Sequence, residues 1–286
     1  MCLRRKAPTL ALALALATPM GTQRACAGNE ANFVLYDHHT DPKGTTEINV
    51  LSDVSNAAPG DPLYAAQLIE IERAITDQWT VSVYLEGDKI EDADYAFGGW
   101  RLENRYRLLP YGAFLNPVLY VEYANLRPAK RYLLEVVGRT DTPEAGASSE
   151  VESRLILGED ISDRFDIAFN WINDANLSAG NWGFGYAAGL NYAFFERSER
   201  ARGRREAAQA SNWNIKELKL GAEFYGGAGD STLGLTLDPS VTQHYAELNL
   251  KSEFGNGLRV QVGGAAGLTR DSERGLLRLM LGYEFE

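Results

Sequence analysis

The sequence predicts an all-β protein, an antiparallel up-and-down transmembrane β-barrel of about twelve strands. Three observations carry this. First, the stretch 276–285 alternates: Leu277, Leu279, Leu281, Tyr283 and Phe285 fall on one side of an extended chain, and Arg278, Met280, Gly282 and Glu284 on the other. That is the period of a strand with one apolar face, and its two terminal aromatics suit an end at a lipid–water interface. Second, beyond the N-terminus no window approaches the roughly 20 apolar residues of a spanning helix. Many glycines (28) and tyrosines (14) instead suit an all-β chain, and a barrel needs only alternate residues to be apolar. Third, the connections sort by parity, short ones alternating with long polar ones.

In order along the chain, residues 1–27 read as a signal peptide. Arg4, Arg5 and Lys6 form a basic start, residues 10–17 an Ala/Leu run too short to span, and Ala25-Cys26-Ala27 a small-x-small cleavage site. Residues 28–44 read as an irregular lead-in, and 45–286 as the barrel. Twelve strand-like segments follow, at 45–53, 67–76, 79–87, 97–109, 117–126, 150–159, 164–172, 182–195, 213–226, 243–254, 258–269 and 275–285. In the third, Val81, Val83 and Leu85 oppose Ser82, Tyr84 and Glu86. In the seventh, Phe165, Ile167, Phe169 and Trp171 oppose Asp166, Ala168 and Asn170. In the tenth, Ala246, Leu248, Leu250 and Phe254 oppose Glu247, Asn249, Lys251 and Glu253.

The even connections include 76–78, 160–163 and 255–257, all tight; the odd ones at 54–66, 88–96, 127–149, 173–181 and 227–242 are longer. An up-and-down barrel with both termini on one side gives this sorting, and it requires an even strand count. Residues 132–139 also have strand character. Counting them gives thirteen strands, or fourteen with a second in the same loop, so parity favours leaving them in a long loop. The even connection 196–212 is long and basic, with Arg197, Arg200, Arg202, Arg204 and Arg205, and reads as a solvated excursion.

Cys2 and Cys26 both lie in the leader, so the mature chain has no thiol for a disulfide, a nucleophile or a Cys-based metal site. Loss of Arg4, Arg5, Lys6 and Arg24 leaves 24 basic against 39 acidic residues, a mature charge of −15. That argues against nucleic acid as a partner and against a polybasic hold on anionic lipid.

Charged residues recur on the face opposite the apolar one, which in a barrel lines the lumen. The candidate lumen-lining set is Glu70, Glu72, Tyr84, Glu86, Arg101, Glu103, Arg105, Arg107, Glu122, Arg154, Glu247, Lys251, Arg259 and Arg278. Such charges are tolerated only if wet or paired. Two arrangements satisfy that: a pore with a transverse field that screens small polar or charged solutes, or a salt-bridged ladder filling a lumen narrower than that of a 16–18-stranded porin. Trp100, Trp171, Trp182 and Trp213 stand near strand ends, as an interfacial girdle does. His38 and His39, flanked by Asp37 and Asp41, and His244 at a strand start are the only histidines. Nothing in their spacing makes ligands converge, so neither a metal site nor a catalytic set is expected, and no motif calls for a cofactor.

The order TDPKGTTEINV (40–50), QLIEIERAITDQWTVSVYLE (67–86), WRLENRYRLL (100–109), NPVLYVEY (116–123) and SRLILGEDISDRFDIAFNW (153–171) resembles a poorly characterised family of bacterial outer-membrane barrels, similar to putative transporters of the phenol meta-degradation type. The resemblance implies an outer-membrane barrel in a Gram-negative bacterium, with transport by analogy and no catalytic motif to carry over. Glu286 after Phe285 departs from the usual aromatic end of such chains. The expected function is a passive channel or transporter for a small solute, with outer-membrane lipids and the barrel-assembly machinery as partners. The alternatives are a non-conducting barrel acting through its external loops, an outer-membrane lipid-modifying enzyme working through His244, and a soluble β-rich periplasmic protein.

Overall fold

A computed structural model describes residues 32–56, 64–90, 94–126, 148–196, 214–232, 234–270 and 272–285. Residues 1–27, read from the sequence as a signal peptide, the basic connection 196–212 beyond Glu196, and the stretch 132–139 lie outside the described residues.

Thirteen strands are described: β1 Thr46–Asn56, β2 Tyr64–Thr76, β3 Trp79–Ile90, β4 Ala96–Arg107, β5 Val118–Leu126, β6 Ser148–Ser162, β7 Phe165–Asn176, β8 Asn181–Glu196, β9 Ile215–Asp230, β10 Gly234–Leu235, β11 His244–Phe254, β12 Leu258–Gly267 and β13 Gly275–Phe285. Each pairs antiparallel with the next, except that the two-residue β10 only folds back onto the end of β9, and β11 takes the place beside β9. β13 pairs with β1 from Thr46↔Phe285 to Asn56↔Gly275, which closes the sheet. The result is a twelve-stranded antiparallel barrel, as the alternation and parity predict. Closure leaves no unpaired edge among the twelve described barrel strands, the condition for strands to cross lipid.

The apolar face points outward throughout. Leu277, Leu279, Leu281, Tyr283 and Phe285 are 43–66% exposed, and the rings of Tyr283 and Phe285 meet edge-on at 4.8 Å. Trp100 (39% exposed) and Trp182 (50%) also face out near strand ends, as a girdle does. Trp213 lies outside the described residues.

Strands run further than expected at the rim opposite the two ends of the sheet. β1 reaches Asn56, β3 Ile90, β7 Asn176 and β9 Asp230, so that 177–180 is a four-residue link rather than a long loop. The backbone ladder continues where side-chain alternation fades, because its hydrogen bonds need no apolar partner. At the other rim the links are tight at 77–78, 163–164 and 255–257, and Gly257 takes a φ of 85° in its turn. The connection 108–117 is the irregular one, with Leu115 and Asn116 both at positive φ.

The buried core of the barrel is its interior. Residues 32–45 form no strand. They run inside the barrel from the level of Arg278 to the tight-turn rim and then enter β1. Phe33, Val34 and Leu35 pack on inward-facing Ala168, Ile172, Ala187, Tyr225, Tyr245, Ala265 and Leu276. Tyr36 packs on Val118, Tyr120 and Ile156. Val34 and Leu35 are 6% and 1% exposed, and full burial of such side chains contributes about 1.5–3 kcal/mol each.

Candidate functional site

The interior is a belt of charges around the inner segment. All fourteen candidate residues sit on the inward face of their strands. On one wall, Tyr84 on β3 places its hydroxyl 2.7 Å from both Glu70 on β2 and Glu103 on β4. Arg105 pairs with Glu72 and, at 2.9 Å, with Glu103. Arg101 pairs with Glu86 and, at 3.2 Å, with Glu122, and Glu122 accepts from the Tyr120 hydroxyl at 2.9 Å. Arg154 pairs with Glu152 and lies over the rings of Tyr36 and Tyr120, 4.8 Å from each centroid.

The opposite wall is built from β11–β13 and β1. Arg278 grips Asp53 through two bonds of 2.7 Å, the bidentate geometry that makes arginine–carboxylate pairs strong. Arg259 pairs with Glu47 and Glu284. Lys251 is buried, and Glu247 accepts from Asn249 at 2.9 Å. Arg107 stands apart at the tight-turn rim. It donates to Thr40 at 3.2 Å and to the Asp77 carbonyl at 2.7 Å. The direct cross-strand partners on this inward face include like charges, Glu103 opposite Glu122 and Glu122 opposite Glu152. The arginines offset them from diagonal, same-strand or more distant positions, Arg101 reaching Glu86 and Glu122 and Arg105 reaching Glu72 and Glu103.

The inner segment is held by its backbone. The Glu223 carboxylate accepts from the N–H groups of Phe33, Val34 and Leu35 at 2.6, 3.1 and 2.7 Å. Asn170 accepts from the Tyr36 N–H at 2.8 Å and donates to its carbonyl at 2.7 Å. Arg154 donates to the Val34 carbonyl at 2.6 Å and Arg278 to that of Phe33 at 3.1 Å. Thus the N–H groups of the four residues from Phe33 to Tyr36 each find a side-chain acceptor although the stretch joins no strand, as burial requires. Two inward glycines leave the room: a Cβ at Gly263 would meet the Phe33 ring at 2.7 Å, and one at Gly189 the Leu35 side chain at 2.9 Å. Between segment and wall remains a cavity of about 140 Å³, lined by Tyr36, Glu70, Glu72, Arg101, Arg105 and Arg154 among others.

At the tight-turn rim the segment carries His38 and His39 to Asp160 on β6 and Tyr111 in the 108–117 connection. Burial pushes the Asp37 carboxyl up, but the His39 imidazole 3.1 Å away, together with Lys219 and His38, outweighs it and holds Asp37 well below the usual carboxylate range. His244 lies elsewhere, on the outer face beside Tyr186 and Thr242, each 2.9 Å from a ring nitrogen.

The sequence shows which strand residues carry charge but not the segment that meets them. The signal was present as Phe33-Val34-Leu35-Tyr36, an apolar run with no strand to belong to. Glu223, Asn170 and Asp160, which receive the segment, carry no local mark of that role.

A closed twelve-stranded barrel with an apolar outer face and a charged interior is the architecture of outer-membrane barrels. Solved structures with the same fold include a KdgM porin in complex with disordered oligogalacturonate, at 10% identity and a TM-score of 0.51, covering 84% of this chain and 99% of that one. An outer membrane channel from Pseudomonas putida F1 aligns at 15% identity and a TM-score of 0.49, over 87% and 98% of the two chains. No family model matches the chain, and no curated protein matches it.

Proposed function

We propose that the chain is an outer-membrane passage for a small polar solute, with its aperture set by the inner segment 32–41. The observation that carries this is the mid-lumen cavity, walled by charged side chains and bounded on one side by a segment outside the ladder. A barrel interior that served only for stability could be closed with apolar packing, which is often the more stable choice over buried ion pairs. On this reading the fourteen inward residues form the wall, with Arg101, Arg105 and Arg154 interleaved with Glu70, Glu72 and Glu122 along one side of the path. The tight turns and the segment's exit are periplasmic, and the longer loops face outward. Residues 1–27 direct export and are removed, the assembly machinery inserts the barrel, and lipid covers its apolar face. Within outer-membrane barrels, we place the chain with the putative transporters of the phenol meta-degradation type on the sequence order quoted above.

The test is conductance of the refolded mature chain in a planar bilayer, with selectivity from the reversal potential. Discrete steps with a charge preference support the passage. Silence from an inserted, β-folded chain favours a second reading, a closed barrel acting through its loops. That reading rests on the pairing of arginines with carboxylates and on the segment that fills much of the lumen. An enzyme of outer-membrane lipids gains no support from His244, whose two ring nitrogens meet only hydroxyls among the described side chains.

A further inference from the structure

We propose that His38, His39 and Asp160 form a binding site for a divalent transition-metal ion, with Zn²⁺ as the probe that fits the donor set. The Nε2 atoms of both histidines converge on one carboxylate oxygen, Asp160 Oδ1, at 3.4 Å and 3.3 Å. All three donor atoms lie within 4.8 Å of one another. A tetrahedral ion with bonds of about 2.0–2.1 Å sets its ligand atoms about 3.3–3.4 Å apart.

Three further features point the same way. Adjacent side chains in extended chain point to opposite sides. Here a bend at His38 brings the two rings to 4.1 Å, tilted by 34°. Both rings are almost fully buried, at 0% and 5% exposure, and neither nitrogen of His38 has a hydrogen-bond partner. A buried imidazole with Nδ1 unpaired and Nε2 left only the long 3.4 Å contact to Asp160 is costly unless something engages it more closely. Gly158, two residues before Asp160 on the same face of β6, is what admits the ring, since a Cβ there would collide with His38 Nδ1.

The surroundings also act as metal sites require. Asp37 Oδ2 lies 3.1 Å from His39 Nδ1, so the ionised carboxylate favours the tautomer with its proton on Nδ1 and leaves Nε2 bare toward an ion. Tyr111 hydrogen-bonds the other Asp160 oxygen and fixes that carboxylate. Carboxylate partners behind ligating histidines play these roles generally. The charges of Asp37 and Asp160 together balance a divalent ion. Two imidazoles and a carboxylate suit Zn²⁺ over Ca²⁺ or Mg²⁺, which take oxygen sets. A water or the Tyr111 hydroxyl, 3.0 Å from His39 Nε2, completes four-coordination. An ion there ties the inner segment to the barrel wall at its periplasmic end.

The experiment is equilibrium dialysis of the untagged, refolded mature chain against ZnCl₂, with Co²⁺ as a spectroscopic stand-in. We expect one Zn²⁺ per chain at micromolar free ion and tetrahedral ligand-field bands from Co²⁺. Outer-shell losses weaken metal sites about 10–100-fold, so Asp37→Asn should cost that much, and His38→Gln, His39→Gln or Asp160→Asn more. His244→Gln should bind as the unsubstituted chain does. Folding of each variant is checked by heat-modifiable migration. Absence of micromolar stoichiometric binding by the folded chain overturns the proposal, as does binding that survives His38→Gln and His39→Gln or that follows His244. Should a variant fail to fold, the Co²⁺ spectrum of the unsubstituted chain decides, since octahedral or absent bands contradict the site. The readout is binding, so a silent barrel leaves this result standing.

Discussion

Replacing Glu223 by alanine is the sharpest perturbation of the proposed aperture. One carboxylate accepts three consecutive backbone N–H groups, from Phe33, Val34 and Leu35. Hydrogen bonds to a charged group contribute roughly 1.5–3 kcal/mol each, and a buried donor left without a partner costs about 1–3 kcal/mol. Three such bonds set an upper bound near 9 kcal/mol, and two effects reduce it. Water can follow into the lumen, and loss of Glu223 relieves repulsion from Glu247, its cross-strand partner on β11. A net loss of about 3 kcal/mol is the reasonable figure, which lowers the docked-to-undocked ratio about a hundredfold. Strand pairing is untouched, so the barrel itself should keep its heat-modifiable migration. In a planar bilayer, Glu223→Ala should raise conductance or open probability well above that of the unsubstituted chain. Glu223→Gln keeps one acceptor and should fall between. If Glu223→Ala conducts as the unsubstituted chain does, and deletion of residues 32–41 also changes nothing in a folded barrel, the segment does not limit passage.

Other expectations follow from the same geometry. Arg278→Ala leaves the Asp53 carboxylate buried without its bidentate partner. Breaking such a pair costs roughly 3–5 kcal/mol, so the urea unfolding midpoint should fall clearly, and an unchanged midpoint removes the pair from the stability argument. Arg101→Gln with Arg105→Gln frees Glu86, Glu122, Glu72 and Glu103. The reversal potential should then move toward cation preference; no shift in a folded barrel places these arginines outside the path. Leu279→Arg sets a charge on the outward face near mid-strand, where the leucine is 46% exposed. The cost should be about 2–4 kcal/mol, and Tyr283→Arg near the rim should cost about 0–1 kcal/mol. Equal unfolding free energies for the two would contradict the assignment of that face to lipid.

The barrel was legible because its determinants are local and repeated. Leu277, Leu279 and Leu281 alternate with Arg278, Met280 and Gly282. The same alternation in the other strands, with short and long links taking turns, leaves an even-stranded closed sheet as the economical solution. Strand ends were the weakest reading, since β9 runs to Asp230 through Gly226, Gly227 and Gly229, where no side-chain pattern marks a strand. Ladder hydrogen bonds decide there, and they are invisible in composition.

The interior was half legible, and the missing half has a physical cause. An inward charge announces itself by falling opposite an apolar neighbour, as Arg101 does beside Trp100 and Leu102 and Glu70 beside Ile69 and Ile71. What it meets across 20 or more residues of sequence does not. Glu223 and Phe33 are 190 positions apart and touch only because twelve strands close around residue 33. His38 and Asp160 are likewise joined by closure rather than by spacing. The apolar run Phe33-Val34-Leu35-Tyr36 is the clue that bridges the two levels. A chain outside the sheet with four consecutive apolar residues must bury them somewhere. In a barrel whose outer face lies in lipid, the lumen is the place that also offers carboxylates and amides for the backbone that comes with them. On the proposed reading, those same backbone bonds make the segment a closure as well as a part of the core. They are few, gathered on Glu223, Asn170, Arg154 and Arg278, and independent of the strand ladder. Side-chain exchanges at these four points can therefore loosen the segment while the wall around it stays folded.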